Sequence, residues 1–202
     1  MFASLPSPIS IALPQHQSRL QGRQFNRKDL LPINSDCIWK IDSGLVRTFT
    51  WDESGRIMTL GFWGAGDVVG YPLSYLDPYF IECLTPVTVW QVLPDSSYVK
   101  QALWQRVGKS EEFLSIVHQH DVGGRLMHLL IWLADQFGQP IAEGQLLDVH
   151  LTHQLLAETA HTTRVTVTRI LNQWEREGKL KRSTRSLILL KQDLDASVST
   201  KG

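Results

Sequence analysis

Residues 162–174, TTRVTVTRILNQW, constrain the fold more than any other stretch. The first half alternates as a strand does, with Thr163, Val165 and Val167 on one side and Arg164, Thr166 and Thr168 on the other. β-branched residues also favour pleated surfaces. At helical spacing, however, Val167, Ile170, Leu171 and Trp174 form one apolar stripe, which leaves Arg164, Val165, Thr168 and Arg169 on other faces. The neighbouring segments decide between the two. Upstream, THQLLAET is a short helix with Thr152 as N-cap, followed by the tight link AHT. Downstream, Gly178 closes a second helix, and KLKRSTRSLILLK forms a hairpin around Arg182, Ser183, Thr184 and Arg185. Leu155, Leu156, Ala160, Val167, Ile170, Leu171 and Trp174 share one small core only if the stretch is helical. Short helix, three-residue turn, longer helix and basic hairpin together make a winged helix-turn-helix.

Such a helix enters the major groove of DNA with its first residues against base edges. Thr162, Thr163, Arg164, Val165, Thr168 and Arg169 occupy those positions. An arginine bonds guanine O6 and N7 together, worth about 1–3 kcal/mol of discrimination, whereas valine offers only methyl contact to thymine. Threonine hydroxyls and helix-start N–H groups suit phosphates. Thr152 and His153 on the first helix, and Lys179, Lys181, Arg182 and Arg185 from the wing, extend the backbone contact. Arg176 and Lys191 read as ordinary solvated charges. The formal net charge of zero hides a polarity. Residues 151–192 hold eight Lys or Arg against three acidic residues, so +5, and the remainder is −5. One end of the chain is built to meet a polyanion.

The preceding residues use different chemistry. Over residues 37–95, short β-branched and aromatic runs are separated by Asp-Ser-Gly, Asp-Glu-Ser-Gly and Gly-Ala-Gly-Asp, which are turn signals. LVRTFTW and RIMTLGFW flank DESG as a hairpin, and YFIECLTPVTVWQVLP adds one or two strands. Residues 110–140 then read as one long helix, with Ser110 as N-cap, Glu111 and Glu112 in the first turn, and Gly138 and Pro140 as the stop. Phe113, Val117, His120, Gly124, Met127 and Ile131 form one stripe, and Leu126, Leu129, Leu130, Leu133 and Phe137 a second. Two stripes suit one contact within the chain and one with a twin helix; a helix wholly inside a monomer is the alternative. The expected fold class is α+β: an antiparallel β-roll (cupin-like jelly roll) sensor domain over residues 1–109, a long dimerisation helix over 110–138, and a winged helix-turn-helix over 139–202.

Composition is that of a globular chain, 43% hydrophobic and 20% charged. No run approaches the roughly 18 apolar residues of a membrane span, and the Pro-broken N-terminus lacks the pattern of a signal peptide. Cys37 and Cys83 read as reduced thiols, so a cytoplasmic location is expected. No phosphate loop, activated nucleophile or metal-spaced triad is present in the sequence, so no enzymatic activity is expected. His118 and His120 fall on opposite helix faces, and no metal site is expected.

VGGRLMHLLIWLADQFGQP, LTHQLLAETAHTTRVTVTRIL and IDSGLVRTFTWDESGRI together carry a resemblance to the CRP/FNR superfamily of bacterial transcription regulators. Within it the chain is similar to the cyanobacterial global nitrogen-control regulators, over nearly its whole length. The resemblance implies a homodimer on a palindromic operator, with Arg164 and Arg169 as base and phosphate contacts. Val165, where the cyclic-AMP-receptor branch has a glutamate, implies GTA…TAC-like half-sites. The roll would bias helix geometry or touch RNA polymerase. The family's turn glycine is replaced at Ala160 and His161; His161 adopts left-handed geometry less readily than glycine, so the turn should persist with some strain.

No cofactor is expected. The family's cyclic-nucleotide cassette is replaced by VVGYPLSYLDPYFIECLTP, with Tyr71 at the glutamate position and no arginine between Arg56 and Arg106, which disfavours a cyclic nucleotide. For 2-oxoglutarate, Arg125 matches the branch's helix arginine, but Asp77 stands near the roll arginine and would repel a dicarboxylate. An iron–sulfur cluster needs about four thiolates, more than are present. The surroundings of an effector, if one binds, would be Gly70, Tyr71, Glu82 and Arg125, with Arg125 alternatively paired to Glu82 or Asp121. The rival reading from another class is a small-molecule-binding or adaptor protein on a β-roll that keeps the DNA-binding fold; Trp39, Trp51, Trp63 and Trp90 read mostly as core or sheet-face residues, with an aromatic ligand pocket as the alternative.

Overall fold

The computed structural model describes residues 22–33 and 38–190; Cys37 and Lys191 lie outside them. Among the described residues, seven strands build the roll: β1 (Arg23–Phe25), β2 (Ile38–Ser43), β3 (Val46–Trp51), β4 (Ile57–Trp63), β5 (Val68–Val69), β6 (Phe80–Cys83) and β7 (Val87–Val92). One sheet runs β1-β7-β2-β5 and the other β4-β3-β6, all antiparallel. Trp39, Ile41, Val46, Trp63, Val69, Ile81 and Val89 fill the space between them. DESG is the tip of the β3–β4 hairpin, as its turn chemistry requires. Val46, Arg47, Thr48, Phe49 and Thr50 on β3 are all buried, because the strand is covered on both faces.

The segment expected to be one helix over residues 110–138 is divided, and the expected boundary at 109 falls inside a helix. Helix α1 spans Ser97–Val117, α2 spans Val122–Phe137, and residues 118–121 separate them. Ser96, not Ser110, is the N-cap of α1, accepting from Val99 N–H. Ser110 sits mid-helix and its hydroxyl donates to the Arg106 carbonyl. The break has a local cause. Asp121 accepts from Gly124 N–H as a new N-cap, and Gly123 and Gly124 are poor at carrying a helix through.

The second predicted stripe is consumed inside the chain, and the first is partly covered there. Leu126, Leu129, Leu130 and Leu133 are 0% exposed and Phe113 is buried with them; Val117, Met127, Ile131 and Phe137 pack against the same cluster. That cluster takes in Leu45, Phe62 and Leu84 of the roll as well as Leu155, Val167, Leu171 and Trp174, so one core joins both ends of the molecule. His120 is exposed in the break. The apolar face left outside belongs to α1, where Trp104, Val107 and Leu114 are exposed.

The last third follows the expected order: β8 (Gln139–Ile141), β9 (Gly144–Leu147), α3 (His153–Thr159), α4 (Arg164–Arg176), β10 (Leu180–Arg182) and β11 (Leu187–Leu190), with the sheet ordered β10-β11-β9-β8. Thr152 and Thr163 cap α3 and α4 by accepting from Leu155 and Thr166 N–H. Both helices end alike. Lys179 N–H reaches the Trp174 carbonyl around Gly178 (φ 71°), and Thr162 N–H reaches the Ala157 carbonyl around His161 (φ 48°). This is a Schellman closure, for which glycine is the unstrained residue at the left-handed position.

Two consequences are measurable. Leu129→Ala should cost about 2–5 kcal/mol in a denaturant titration, with roll and C-terminal signals moving together because they share a core. His161→Gly should raise stability by on the order of 1 kcal/mol in the same assay, since it relieves a left-handed side-chain clash.

Candidate nucleic-acid interface

Helix α4 buries Val167, Ile170, Leu171 and Trp174 and turns Arg164, Val165 and Arg169 outward. Val165 is 78% exposed, an isolated branched methyl pair with no core to fill. The threonines at the helix start are partly committed. Thr163 Oγ1 accepts from Thr166 N–H and lies 2.9 Å from the Thr166 hydroxyl; Thr152 Oγ1 accepts from Leu155 N–H. Thr162 is half-buried.

Thr168 and His153 hold α3 to α4. The Thr168 hydroxyl donates to the Arg164 carbonyl, so His153 Nδ1–H, 2.7 Å away, donates to Thr168 Oγ1. His153 Nε2 then keeps its lone pair toward Arg182 Nη1 at 3.4 Å. Burial first, then Arg182 and Arg164, hold the His153 imidazole below its usual range, consistent with this neutral tautomer.

The wing cations divide into two kinds. Arg182 donates to Asn172 and pairs with Glu175, whose carboxyl Arg182 keeps below the usual range; Lys181 pairs with Glu143. Among the described residues, Arg164, Arg169 and Arg185 form no ion pair, and all three are exposed. A hollow of about 330 Å³ runs between α3 and the wing, lined by His150, Thr152, His153, Arg164, Arg182 and Arg185 among others. Of the sequence-predicted DNA residues, Thr152, His153, Arg164, Arg182 and Arg185 thus line one hollow, and Arg182 and Lys181 carry acidic partners that the sequence did not reveal.

The four effector candidates are not gathered. Gly70 and Tyr71 stand at a 3-10 turn after β5. Glu82 accepts from Arg47 Nε at 2.6 Å, and Arg125 donates to the carbonyls of Ala160 and Gln119. Arg125 thus pairs with neither Glu82 nor Asp121; it pins the α3–α4 turn to the α1–α2 break. Asp77 lies ahead of the β6 strand.

Two residues were missed by sequence reasoning. Arg47, 7% exposed, bridges Glu82 on the neighbouring strand and Glu158 on α3, the latter at 2.8 Å, so it joins roll to helix-turn-helix. Arg106 returns a cation to the roll from α1: its guanidinium lies 3.8 Å from the Trp63 ring centroid, donates to the Val68 carbonyl and sits against Tyr79. Burial lowers the Arg106 pKa and raises that of Tyr79, each offset by the other. The arginine-free stretch of residues 57–105 thus ends at a side chain that the fold returns to the roll. Its signal was legible, since Val99, Ala102, Arg106, Lys109 and Phe113 recur at three- and four-residue steps. Trp39 and Trp63 are core residues of the roll, at 2% and 1% exposure.

Cys83 is buried, and burial with Asp29 and Glu82 nearby pushes its thiol up to about 12, so it is an inert core residue. Among the described residues no three His, Cys, Asp or Glu cluster as a metal site would need, and no helix is long and apolar enough to cross a membrane.

Residues 124–195 match the model of the Crp-like helix-turn-helix domain. The chain is 40% identical over 190 residues to the regulatory protein CysR of Synechococcus elongatus, covering 93% of this chain and 90% of that one. It is 31% identical over 182 residues to the global nitrogen regulator of the same organism, covering 80% and 81%. Among solved structures, a CRP/FNR-family transcriptional regulator from Thermus thermophilus superposes with a TM-score of 0.71 at 20% identity, over 90% of this chain and 100% of that one, a likeness of fold. The outward arginines of α4 thus stand on a helix-turn-helix of known type, and the chain belongs to the CRP/FNR superfamily of transcriptional regulators, near its cyanobacterial branch.

Proposed function

We propose that the protein binds a palindromic operator with GTA…TAC-like half-sites as a homodimer in the cytoplasm. The observation that carries this reading is the set of uncompensated arginines, Arg164, Arg169 and Arg185, on the face that also exposes Val165. Buried between a carboxylate and its own helix, an arginine has little to offer DNA; these three keep their full donor sets. Arg164 reads a base edge, Val165 contacts a thymine methyl, and Arg169 and Arg185 take phosphates. Thr152, His153, Thr162, Thr163, Thr168, Lys181 and Arg182 fix the geometry of this face or meet the backbone at its margins.

A second copy docks on α1. Trp104, Val107 and Leu114 fall at three- and seven-residue steps, with Glu111 between them, which is the spacing of a helix-pairing seam. Trp104 is 81% exposed, a large apolar cost for a face left in water. Paired in this way, two recognition helices stand about one DNA turn apart, roughly 34 Å. In this reading the roll supports binding without a dissociable cofactor; Trp39 and Trp63 are packed in its core, and Arg106 covers Trp63 from α1.

Titration of duplexes carrying the palindrome or a scrambled sequence, at two salt concentrations with and without 2-oxoglutarate, tests the operator. The expected result is a preference for the palindrome without added ligand that Arg164→Ala abolishes, with a loss of about 1–3 kcal/mol. Preference appearing only with 2-oxoglutarate would assign the roll a sensing role, and no preference at all would favour an adaptor. For the dimer, Trp104→Glu should shift the mass measured by light scattering toward the monomer and weaken operator binding, while leaving the far-UV spectrum unchanged.

A further inference from the structure

Arg164 borders two hollows. One faces the wing; the other, of about 640 Å³, extends from His161, Thr162 and Thr163 to Gly55, Arg56 and Ile57 at the tip of the β3–β4 hairpin. The roll therefore forms a wall of the space in front of the recognition helix.

That wall is fixed in place. Asp52 accepts from the N–H groups of Ser54 and Arg56 and from the Ser54 hydroxyl, and Gly55 closes the turn at φ 77°. The hydrogen bonds from Ser54 and Arg56 hold the Asp52 carboxyl below its usual range. Behind the tip, the Thr59 and Thr159 hydroxyls meet at 3.0 Å and Arg47 reaches Glu158, which docks the hairpin onto α3.

The charge balance of the hollow is positive. Arg56 is solvent-exposed, 77% at its side chain, and its ion pair with Asp52 spans 3.7 Å, a geometry of little energetic weight. Glu158 lines the same hollow, but its carboxylate is taken up by Arg47 and Gln154. His161 is held below its usual pKa by burial and then by Arg125, His118 and Arg56, which reports the crowding of cations on this side.

We infer that Arg56 is a DNA-backbone contact supplied by the roll, taking a phosphate across the hollow from Arg164. This rests on the DNA-binding face described above and extends it. With α4 in the major groove, Arg185 meets the backbone on the wing side and Arg56 meets it on the roll side. A single guanidinium on a hairpin, away from the groove-entering helix, suits a phosphate rather than a base edge. The sensor domain then contributes directly to affinity, and any change in the Arg47–Glu158 docking alters how the DNA is held without a change in α4 itself.

The test compares wild type, Arg56→Gln, Arg56→Lys and Arg164→Ala by fluorescence anisotropy, on the palindromic and scrambled duplexes across a salt series. Arg56→Gln should weaken binding roughly threefold to tenfold on both duplexes alike and lower the slope of log affinity against log salt by about one for each phosphate no longer neutralised. Palindrome preference should survive, and Arg56→Lys should restore the slope. Unchanged affinity and slope in Arg56→Gln would overturn the assignment, as would tighter binding, which would make the hairpin an obstruction. Failure of the base-reading assignment looks different: Arg164→Ala would keep its preference while the Arg56 slope change remained. Absence of salt-dependent binding by the wild type would remove both.

Discussion

Helix α2 carries the centre of the core on its leucine face, with His128, Asp135 and Gln136 left exposed on another. Leu126, Leu129, Leu130 and Leu133 are removed from water completely, and Trp132 and Ala134 nearly so, with contacts to the roll, to α1 and to the recognition domain. At about 1.5–3 kcal/mol for each fully buried leucine, this helix makes a large contribution to the fold. Everything functional is placed relative to it. The roll docks through Phe62, whose ring makes edge contacts with Phe113 and tilts against Trp132. The helix-turn-helix docks through Leu155, Leu156 and Leu171. A core that is continuous through both units does not let one rotate freely against the other.

Polar contacts then fix the orientation that the apolar core leaves loose. Hydrophobic burial is non-directional, whereas a guanidinium donating separately to Glu82 and Glu158 has one geometry. A buried pair of this kind contributes modestly to net stability, yet loss of one partner leaves an uncompensated charge costing about 3–5 kcal/mol. Lys109 with Asp67, at 2.8 Å and with the carboxylate 3% exposed, does the same for α1 on the roll. Both links connect elements far apart in sequence, and both specify how the sensor sits against the rest.

The β3–β4 hairpin and the helix-turn-helix with its wing were legible because local chemistry dictates them, whereas the two- and three-residue strands β1, β5 and β8 were not singled out. Asp-Glu-Ser-Gly can hardly do anything but turn, and Thr152, Thr163 and Gly178 mark helix ends by the hydrogen bonds they satisfy. The long helix misled for a physical reason. Apolar residues keep helical spacing through residues 113–137 because α1 and α2 face the same core, and periodicity records the facing rather than the continuity of the chain. Ser110 reads as the N-cap in the sequence, whereas it lies inside α1; the cap of α2 is Asp121, which accepts from Gly124 N–H. Arg47 was invisible for a similar reason: a charged residue alternating with Val46 and Thr48 looks like a solvent face until α3 covers it.

Charge compensation turns the candidate site from a count of cations into a surface. The sequence offers Arg164, Arg169, Lys181, Arg182 and Arg185 as equals. In the fold, Arg182 is drawn to Glu175 and Asn172 and braces the wing against α4, while Lys181 faces Glu143. Their carboxylate partners are already as close as a phosphate would come, so neutralising DNA there requires breaking a pair first. Arg164, Arg169 and Arg185 need no such exchange, and neither, to a good approximation, does Arg56, whose partner is distant. A phosphate neutralised by one of these four releases the cation condensed on it, and that release is what makes affinity fall with salt. The proposed DNA-binding face is therefore defined less by where the basic residues stand in the chain than by which of them the folded protein has left without a close acid.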